Sequence, residues 1–355
     1  MRIRHVRVRR ENLELSRPYQ IAYKTVTSVE NCFVELEADN GLTGIGAGNP
    51  SKQVTGESLD DAWRTMQAPH LDWLIGRDAR ELGKLTGQVQ TTFPQSPGVR
   101  AALDIALHDL FAQHLGVPLA AFLGQCIPAL PTSITIGIKG VAETLAEADE
   151  YVGRGFRVLK VKLGQSLEED IERLTKLREQ FGPGITVRVD ANQGYHAADL
   201  GIFCIQTAKL NLELIEQPLP AQALAEMKSL PAEIKKLTAA DESLVTPRDA
   251  FRLATPPPGC GIFNIKLMKC GGISPAREIA TIGRQAGIDL MWGCNDESIV
   301  SIAAALHVAL SCPNTRYLDL DGSLDLARDL VTGGFTLRDG VMSITGAPGL
   351  GVKKI

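Results

Sequence analysis

Apolar and polar positions alternate along most of this chain, and the period of the alternation changes twice. In the first ten residues, MRIRHVRVRR, Ile3, Val6 and Val8 stand between charged neighbours. NCFVELEADNGLTGIGAG continues in the same rhythm, with DNG as a turn. This predicts antiparallel strands, the first of them an edge strand rather than a basic binding arm. From about Ser58 to Leu123 the spacing becomes helical, in SLDDAWRTM, RELGKLTGQVQTTF and VRAALDIALHDLFAQHLG. Gly116 and Pro118 stop the last helix. Residues 1–125 thus read as a small α+β domain.

From Pro131 onward short β-branched runs alternate with helical stretches. The runs are TSITIGI, VLKVKL, TVRVDA, LELIEQ, KLTAAD, IFNIKL, IDLMWG and RYLDLD. Such an α/β alternation predicts a parallel sheet closed as a TIM-like barrel over residues 126–321. A doubly wound open sheet is the alternative, but no glycine-rich dinucleotide fingerprint follows an early strand. The tail, residues 322–355, contains the hairpin-like GGFTLRDGVMSITGAPGLG and is placed back against the first domain.

Composition narrows the partners. The chain has 355 residues, is 44% hydrophobic and carries a net charge of −4. That allows a sizeable core and argues against nucleic acid or an anionic membrane as main partner. Seven cysteines at scattered spacings, without a CxxC pair, read as free thiols. With no leader and no apolar run of about 18 residues, a cytoplasmic protein is expected. A homo-oligomer is expected from the general prevalence of symmetric assemblies. The six histidines show no paired spacing, and His307 in SIAAALHVAL reads as a satisfied core residue.

The chemistry sits at strand ends, where barrels of this kind carry their active sites. Lys160 and Lys162 lie two apart on the second strand, so both face inward. Asp190, Glu216 and Asp241 end the next three strands, each about one βα unit after the last. Any one of them alone would read as a helix cap or turn former. Three in register converge on one rim, and oxygen donors without thiol or imidazole suit Mg²⁺ first and Mn²⁺ second. Lys266 ends the sixth strand, across the barrel from the second. Each amine lies near other cations, which should lower its proton affinity toward that of a useful base. Lys269, three residues on, is expected to point into solvent. Trp292 and Cys294 are pocket candidates by position alone.

This set of residues resembles the enolase superfamily, in its muconate-lactonizing subgroup. The resemblance covers essentially the whole chain. It implies a (β/α)7β barrel, a capping domain completed by the tail, Lys162 and Lys266 as opposed bases, and Lys160 as their helper. It also implies Asp190, Glu216 and Asp241 as metal ligands. On the eighth strand, Asp319 and Asp321 form a DxD pair similar to that of the dipeptide epimerases (L-Ala-D/L-Glu epimerase among them), where it holds the substrate's ammonium group. The expected reaction is therefore metal-dependent epimerisation of a small dipeptide. A cycloisomerase, an o-succinylbenzoate synthase and an N-acylamino acid racemase are the alternatives within the superfamily; a non-catalytic metal-binding barrel lies outside it. Asn192 is expected to support the metal shell. Thr135, Asp296 and Glu297 are further candidate substrate contacts. Two capping segments, YQIAYKTVTSVEN with Lys24 and GAGNPSKQVTGES with Lys52, are candidate lids. Lys24 could favour an acidic side chain or be plain surface charge, so the side-chain preference stays open.

Overall fold

The computed structural model describes residues 1–21, 24–52, 54–164 and 166–355, with side chains described outside 18–25. Three antiparallel strands open the chain: Ile3–Ile21, Lys24–Ala38 and Thr43–Gly48, in that order across the sheet. Ile3–Ile21 is an edge strand, as its pattern predicts. Its arginines pair with nearby acids, Arg7 with Glu37 at 2.6 Å and Arg10 with Asp60 at 2.7 Å.

The helix Pro97–Leu115 is buried on almost every side. A helix apolar all round must be covered all round, and here the sheet covers one face. Gly44, Gly46 and Gly48 alternate along the third strand, and a Cβ on Gly46 would stand 1.8 Å from the Ala102 carbonyl oxygen. The bare strand face lets helix and sheet meet backbone to backbone. On another face, Asp104 accepts the N–H groups of Ile273 at 2.7 Å and Ser274 at 3.2 Å, where helix Ile273–Gln285 begins. A carboxylate suits the positive end of a helix.

Eight parallel strands follow in sequential order: Ile134–Ile136, Val158–Lys162, Thr186–Asp190, Ile215–Glu216, Thr238–Ala240, Ile262–Ile265, Asp289–Gly293 and Thr315–Asp319. The two ends of this sheet meet where the Ser133 N–H donates to the Leu318 carbonyl at 3.0 Å and the Leu320 N–H to Thr132 Oγ1 at 2.9 Å. Helices occupy the seven crossovers, and no helix follows the eighth strand among the described residues. The form is (β/α)7β. Register stacks the inward side chains in layers. Leu214, Ala239, Ile262 and Met291 make a small apolar floor, and the ionisable groups lie above it.

The tail forms the hairpin Phe335–Arg338 with Val341–Ile344, and Val331–Gly333 pairs with Val352–Lys354. It touches the first strands: Ser16 N–H donates to Asp325 O at 2.7 Å and Ala327 N–H to Glu14 O at 2.8 Å. Leu350 N–H donates to Asp109 Oδ1 at 2.8 Å, while Asp109 Oδ2 accepts from Ile45 N–H at 2.9 Å. One buried carboxylate thus ties tail to sheet. No helix among the described residues is long and apolar enough to cross a membrane.

His307 is a core residue. Its Nδ1 accepts the Ala120 N–H at 2.9 Å and its Nε2 faces the Leu350 carbonyl at 3.3 Å. Burial pushes its pKa down from 6.5 to about 4. Above pH 6.5 the ring is neutral in both folded and unfolded chains, and its contribution is complete. Between pH 6.5 and about 4 only the unfolded chain takes the proton, so stability falls as pH falls, by about 3 kcal/mol in total. His307→Asn, which keeps an acceptor for Ala120, should reduce the loss of urea resistance between pH 7 and 4. An unchanged loss would contradict this assignment.

Candidate active site

Lys160 lies at the centre of the ionisable layer. Its ammonium stands 2.8 Å from Asp319 Oδ2, 2.8 Å from Glu216 Oε2 and 3.3 Å from Asp190 Oδ2. It links strands two, three, four and eight. Burial opposes its charge, but Asp319, Glu216 and Asp190 together hold its proton affinity well above the ordinary lysine value. Lys266 donates to Asp241 Oδ2 at 2.9 Å, and Asp241 and Glu216 raise its proton affinity against burial. The expectation of a lowered amine value is corrected here for Lys266. Carboxylates surround these amines more closely than other cations do, and attraction wins.

Lys162 donates to Asp190 Oδ2 at 3.2 Å and to Asn192 Oδ1 at 3.0 Å. Its side chain is 37% exposed, against 11% for Lys266 and 4% for Lys160. Strands two and six lie four places apart in an eight-strand ring, so Lys162 and Lys266 face each other across the mouth. Asn192 reaches on to Glu242 Oε1 at 3.3 Å. Its backbone sits in the left-handed region at φ 42°.

The three strand-end acids differ in charge. Burial pushes Glu216 up, to about 8, with Asp190 adding to the shift and Lys160 opposing it. Burial acts on Asp190 as well, but Lys162 and Lys160 hold it below the usual carboxylate range. At Asp241, Lys266 and Lys269 likewise overcome burial. As the side chains lie, the acids turn to lysines, and no closed set of three metal-holding groups occurs among the described residues. The donor set is nevertheless suited to a hard cation. Glu216 Oε2 and Glu242 Oε2 are buried without a hydrogen-bond partner; the Glu216 oxygen is near the Lys160 ammonium but lacks hydrogen-bond geometry with it. Buried oxygen donors with unspent acceptor capacity fit a divalent ion.

Asp319 and Asp321 point inward two residues apart, as the DxD spacing predicts. Asp319 Oδ1 accepts from Ser133 Oγ at 2.6 Å. Asp321 Oδ2 accepts from the Thr135 N–H at 2.7 Å, and its Oδ1 has a long contact with Cys294 Sγ at 3.9 Å. Burial, then Asp319, pushes Asp321 up to about 7. Thr135 therefore meets the site through both its backbone N–H and its side chain, each of which opposes the rise at Asp321. Glu297 is buried, accepts from Asn295 N–H at 3.0 Å and is raised by burial to about 7. Asp296 is half-buried beside it and raises the carboxyl of Asp325. Of the candidate lids, Asn49 Oδ1 accepts from Asn295 Nδ2 at 3.2 Å, which sets that segment over the rim. Lys52 is exposed. The side chain of Lys24 lies outside the described residues.

Several participants escape a reading of strand ends. Lys269 is buried, not solvated: it contacts Asp241 Oδ1 and donates to the Asp241 carbonyl at 2.6 Å. The one-turn helix Leu267–Cys270 after Lys266 turns it inward. Asn264 donates to Glu216 Oε1 at 2.8 Å. Gly293 faces both, and a Cβ there would stand 3.0 Å from Lys266 Cε. The period of two predicts both positions, since Asn264 precedes Lys266 by two. Trp292, by the same period, faces away from the interior and donates to Thr315 Oγ1 at 2.9 Å; it is not a pocket residue. Cys294 does lie at the site, 3.2 Å from the Asp319 carbonyl.

Residues 3–124 match the family model of the mandelate racemase / muconate lactonizing enzyme N-terminal domain, and residues 143–354 match the enolase C-terminal domain-like model. The chain belongs to the enolase superfamily. Within it, the chain is 53% identical to the L-Lys-D/L-Arg epimerase of Methylococcus capsulatus, over 99% of each chain. It is 32% identical to the L-Ala-D/L-Glu epimerase of Bacillus subtilis, over 99% of this chain and 97% of that one. A crystal structure of the dipeptide epimerase from Methylococcus capsulatus, complexed with Mg and the dipeptide L-Arg-D-Lys, superposes with a TM-score of 0.97 at 53% identity, covering 99% of both.

The central ion cluster makes a stability prediction. Lys160→Met leaves Asp190, Glu216 and Asp319 facing one another without their shared cation. Removing one partner of a buried pair costs about 3–5 kcal/mol. Urea unfolding at neutral pH should show that loss, and Asp319→Asn in the same chain should restore part of it. A Lys160→Met protein as stable as wild type would contradict the cluster.

Proposed function

We propose that this protein is a metal-dependent dipeptide epimerase that inverts the α-carbon of the C-terminal residue. The observation that carries the reading is a pair of amines, Lys162 and Lys266, on opposite strands, each resting on a carboxylate of the ring between them. Lys162 takes the α-proton from one face, and Lys266 supplies a proton to the other. The reverse direction exchanges the roles. Asp241 holds Lys266 charged, so the proton donor is ready before substrate arrives, and Lys162 takes the α-proton as the neutral amine.

Asp190, Glu216 and Asp241 would hold Mg²⁺. Bound there, the ion supplies Lewis-acid stabilisation of negative charge on the substrate carboxylate. Asn192 keeps Lys162 in place over Asp190. Asp321 receives the substrate ammonium through Oδ1, and Asp319, itself held by Lys160 and Ser133, reinforces the negative charge. Remote anchoring of this kind fixes the reacting carbon between the bases. A cationic side-chain preference is supported by the named activity of the 53% identical relative. Asp296, half-buried beside Glu297 in the loop after the seventh strand, fits that preference, since an acidic side chain would meet like charge there.

Two outcomes test this reading. Lys162→Ala and Lys266→Ala should each abolish epimerisation of L-Lys-L-Arg-type dipeptides, while each retains α-proton exchange with only one of the two epimers. Epimerisation in either variant, followed by chiral chromatography, would rule out the two-base scheme. Asp321→Asn should raise KM for a free dipeptide about 10–100-fold, the worth of a charge-assisted hydrogen bond, with a smaller change in kcat. In wild type, KM should rise as pH falls through about 7, where Asp321 takes a proton; the variant should lose that dependence.

A further inference from the structure

Lys269 lies outside the strand-end set, yet it spends every donor it has on that set. Its ammonium contacts Asp241 Oδ1, the Asp241 carbonyl at 2.6 Å and the Asn264 carbonyl at 3.2 Å. Its side chain is 2% exposed and closed off from substrate. Lys266 takes the other oxygen of the same carboxylate, Oδ2, and remains partly open to the mouth. Asp241 is also fixed from its backbone, where its N–H donates to Gln217 Oε1 at 2.9 Å. The turn that carries Lys269 is held from behind. Gly271 and Gly272 follow at φ 93° and 115°, and a Cβ on Gly272 would meet the Asp104 side chain at 2.6 Å. Asp104 belongs to the long helix of the N-terminal segment and receives the start of helix Ile273–Gln285.

We propose that Lys269 is a positioning residue that clamps one oxygen of Asp241 so that the other is presented to the divalent cation. The proposal rests on the metal reading above. Its content lies in a sign. A fixed ammonium touching a ligand repels a second cation, so by charge alone removal of Lys269 should tighten Mg²⁺ binding. If orientation dominates, removal weakens it, since partners that hold a ligand in place are commonly worth 10–100-fold in metal affinity. Lys266 supplies the internal comparison, being the same charge on the same carboxylate but on the oxygen that the metal would share.

The test uses the whole protein freed of metal by chelation, with Mg²⁺ titrated calorimetrically and Mn²⁺ followed by electron paramagnetic resonance. Lys269→Met should raise the Kd about 10–100-fold, with the circular dichroism spectrum unchanged. Lys266→Met should leave the Kd unchanged or lower it. Saturating Mg²⁺ should restore most of kcat to Lys269→Met, a rescue that general structural damage would not allow. Should the Met variant fold poorly, Lys269→Gln, which keeps a donor to Asp241, carries the same comparison and should weaken binding by a smaller factor. A Lys269 variant that binds Mg²⁺ as tightly as wild type, or more tightly, overturns the positioning role alone. Absence of Mg²⁺ binding by wild type overturns the metal reading and this role with it.

Discussion

The Lys160 ammonium, buried among Asp190, Glu216 and Asp319, is the interaction on which the rest of the site depends. It joins four strands of the barrel. Because Lys162 lies two residues further along the same strand, fixing Lys160 fixes the height and direction of Lys162. The same ammonium sets Asp319, and hence the mouth-facing Asp321 two residues on. Charges this deep are costly to bury, and such a cluster is weak support for stability by itself. What it confers here is placement: Asp190, Glu216 and Asp319 are each held against one shared ammonium. The acids also outnumber the lysines, with Asp190, Glu216, Asp241, Asp319, Asp321 and Glu297 set beside Lys160, Lys162, Lys266 and Lys269. A site with surplus buried carboxylate is prepared for cations, both a hard metal and an ammonium group.

Much of this arrangement was legible in the residue pattern because strands impose a period of two. Lys160 and Lys162, Asp319 and Asp321, and the three strand-end acids all lie where that period and the βα spacing put them. Asn264 and Gly293 obey the same rule and could have been found by counting back from Lys266. Lys269 could not, since it leaves the strand for a single helical turn whose direction is set by the two glycines after it and by Asp104 from a distant helix. Sequence alone points the Lys266 proton affinity the wrong way for a related reason. Neighbours in sequence are cations, but neighbours in space are carboxylates, and only the fold reveals which are nearer. Trp292 was misplaced by proximity to the strand end, although its odd position in the period points it outward.

The first strands and the barrel are coupled through buried carboxylates rather than through a broad apolar seam alone. Asp104 caps a barrel helix, and Asp109 bridges sheet and tail. Asn49 reaches the loop after the seventh strand. Asp104 stands behind the turn that carries Lys269, and Asn49 stands over the rim of the barrel. A binding barrel without catalysis would not need two amines opposed across the mouth.

The proposed reaction passes the α-proton of a free dipeptide between two lysines. The direct measurement is mass-spectrometric α-deuterium uptake in D₂O with Mg²⁺, using dipeptides with cationic, hydrophobic and acidic residues and an N-acylated amino acid as control. Uptake into the C-terminal residue of free dipeptides, greatest for cationic ones and absent from the acylated control, is the predicted result. Uptake confined to the acylated control, or none in any compound, would contradict the account.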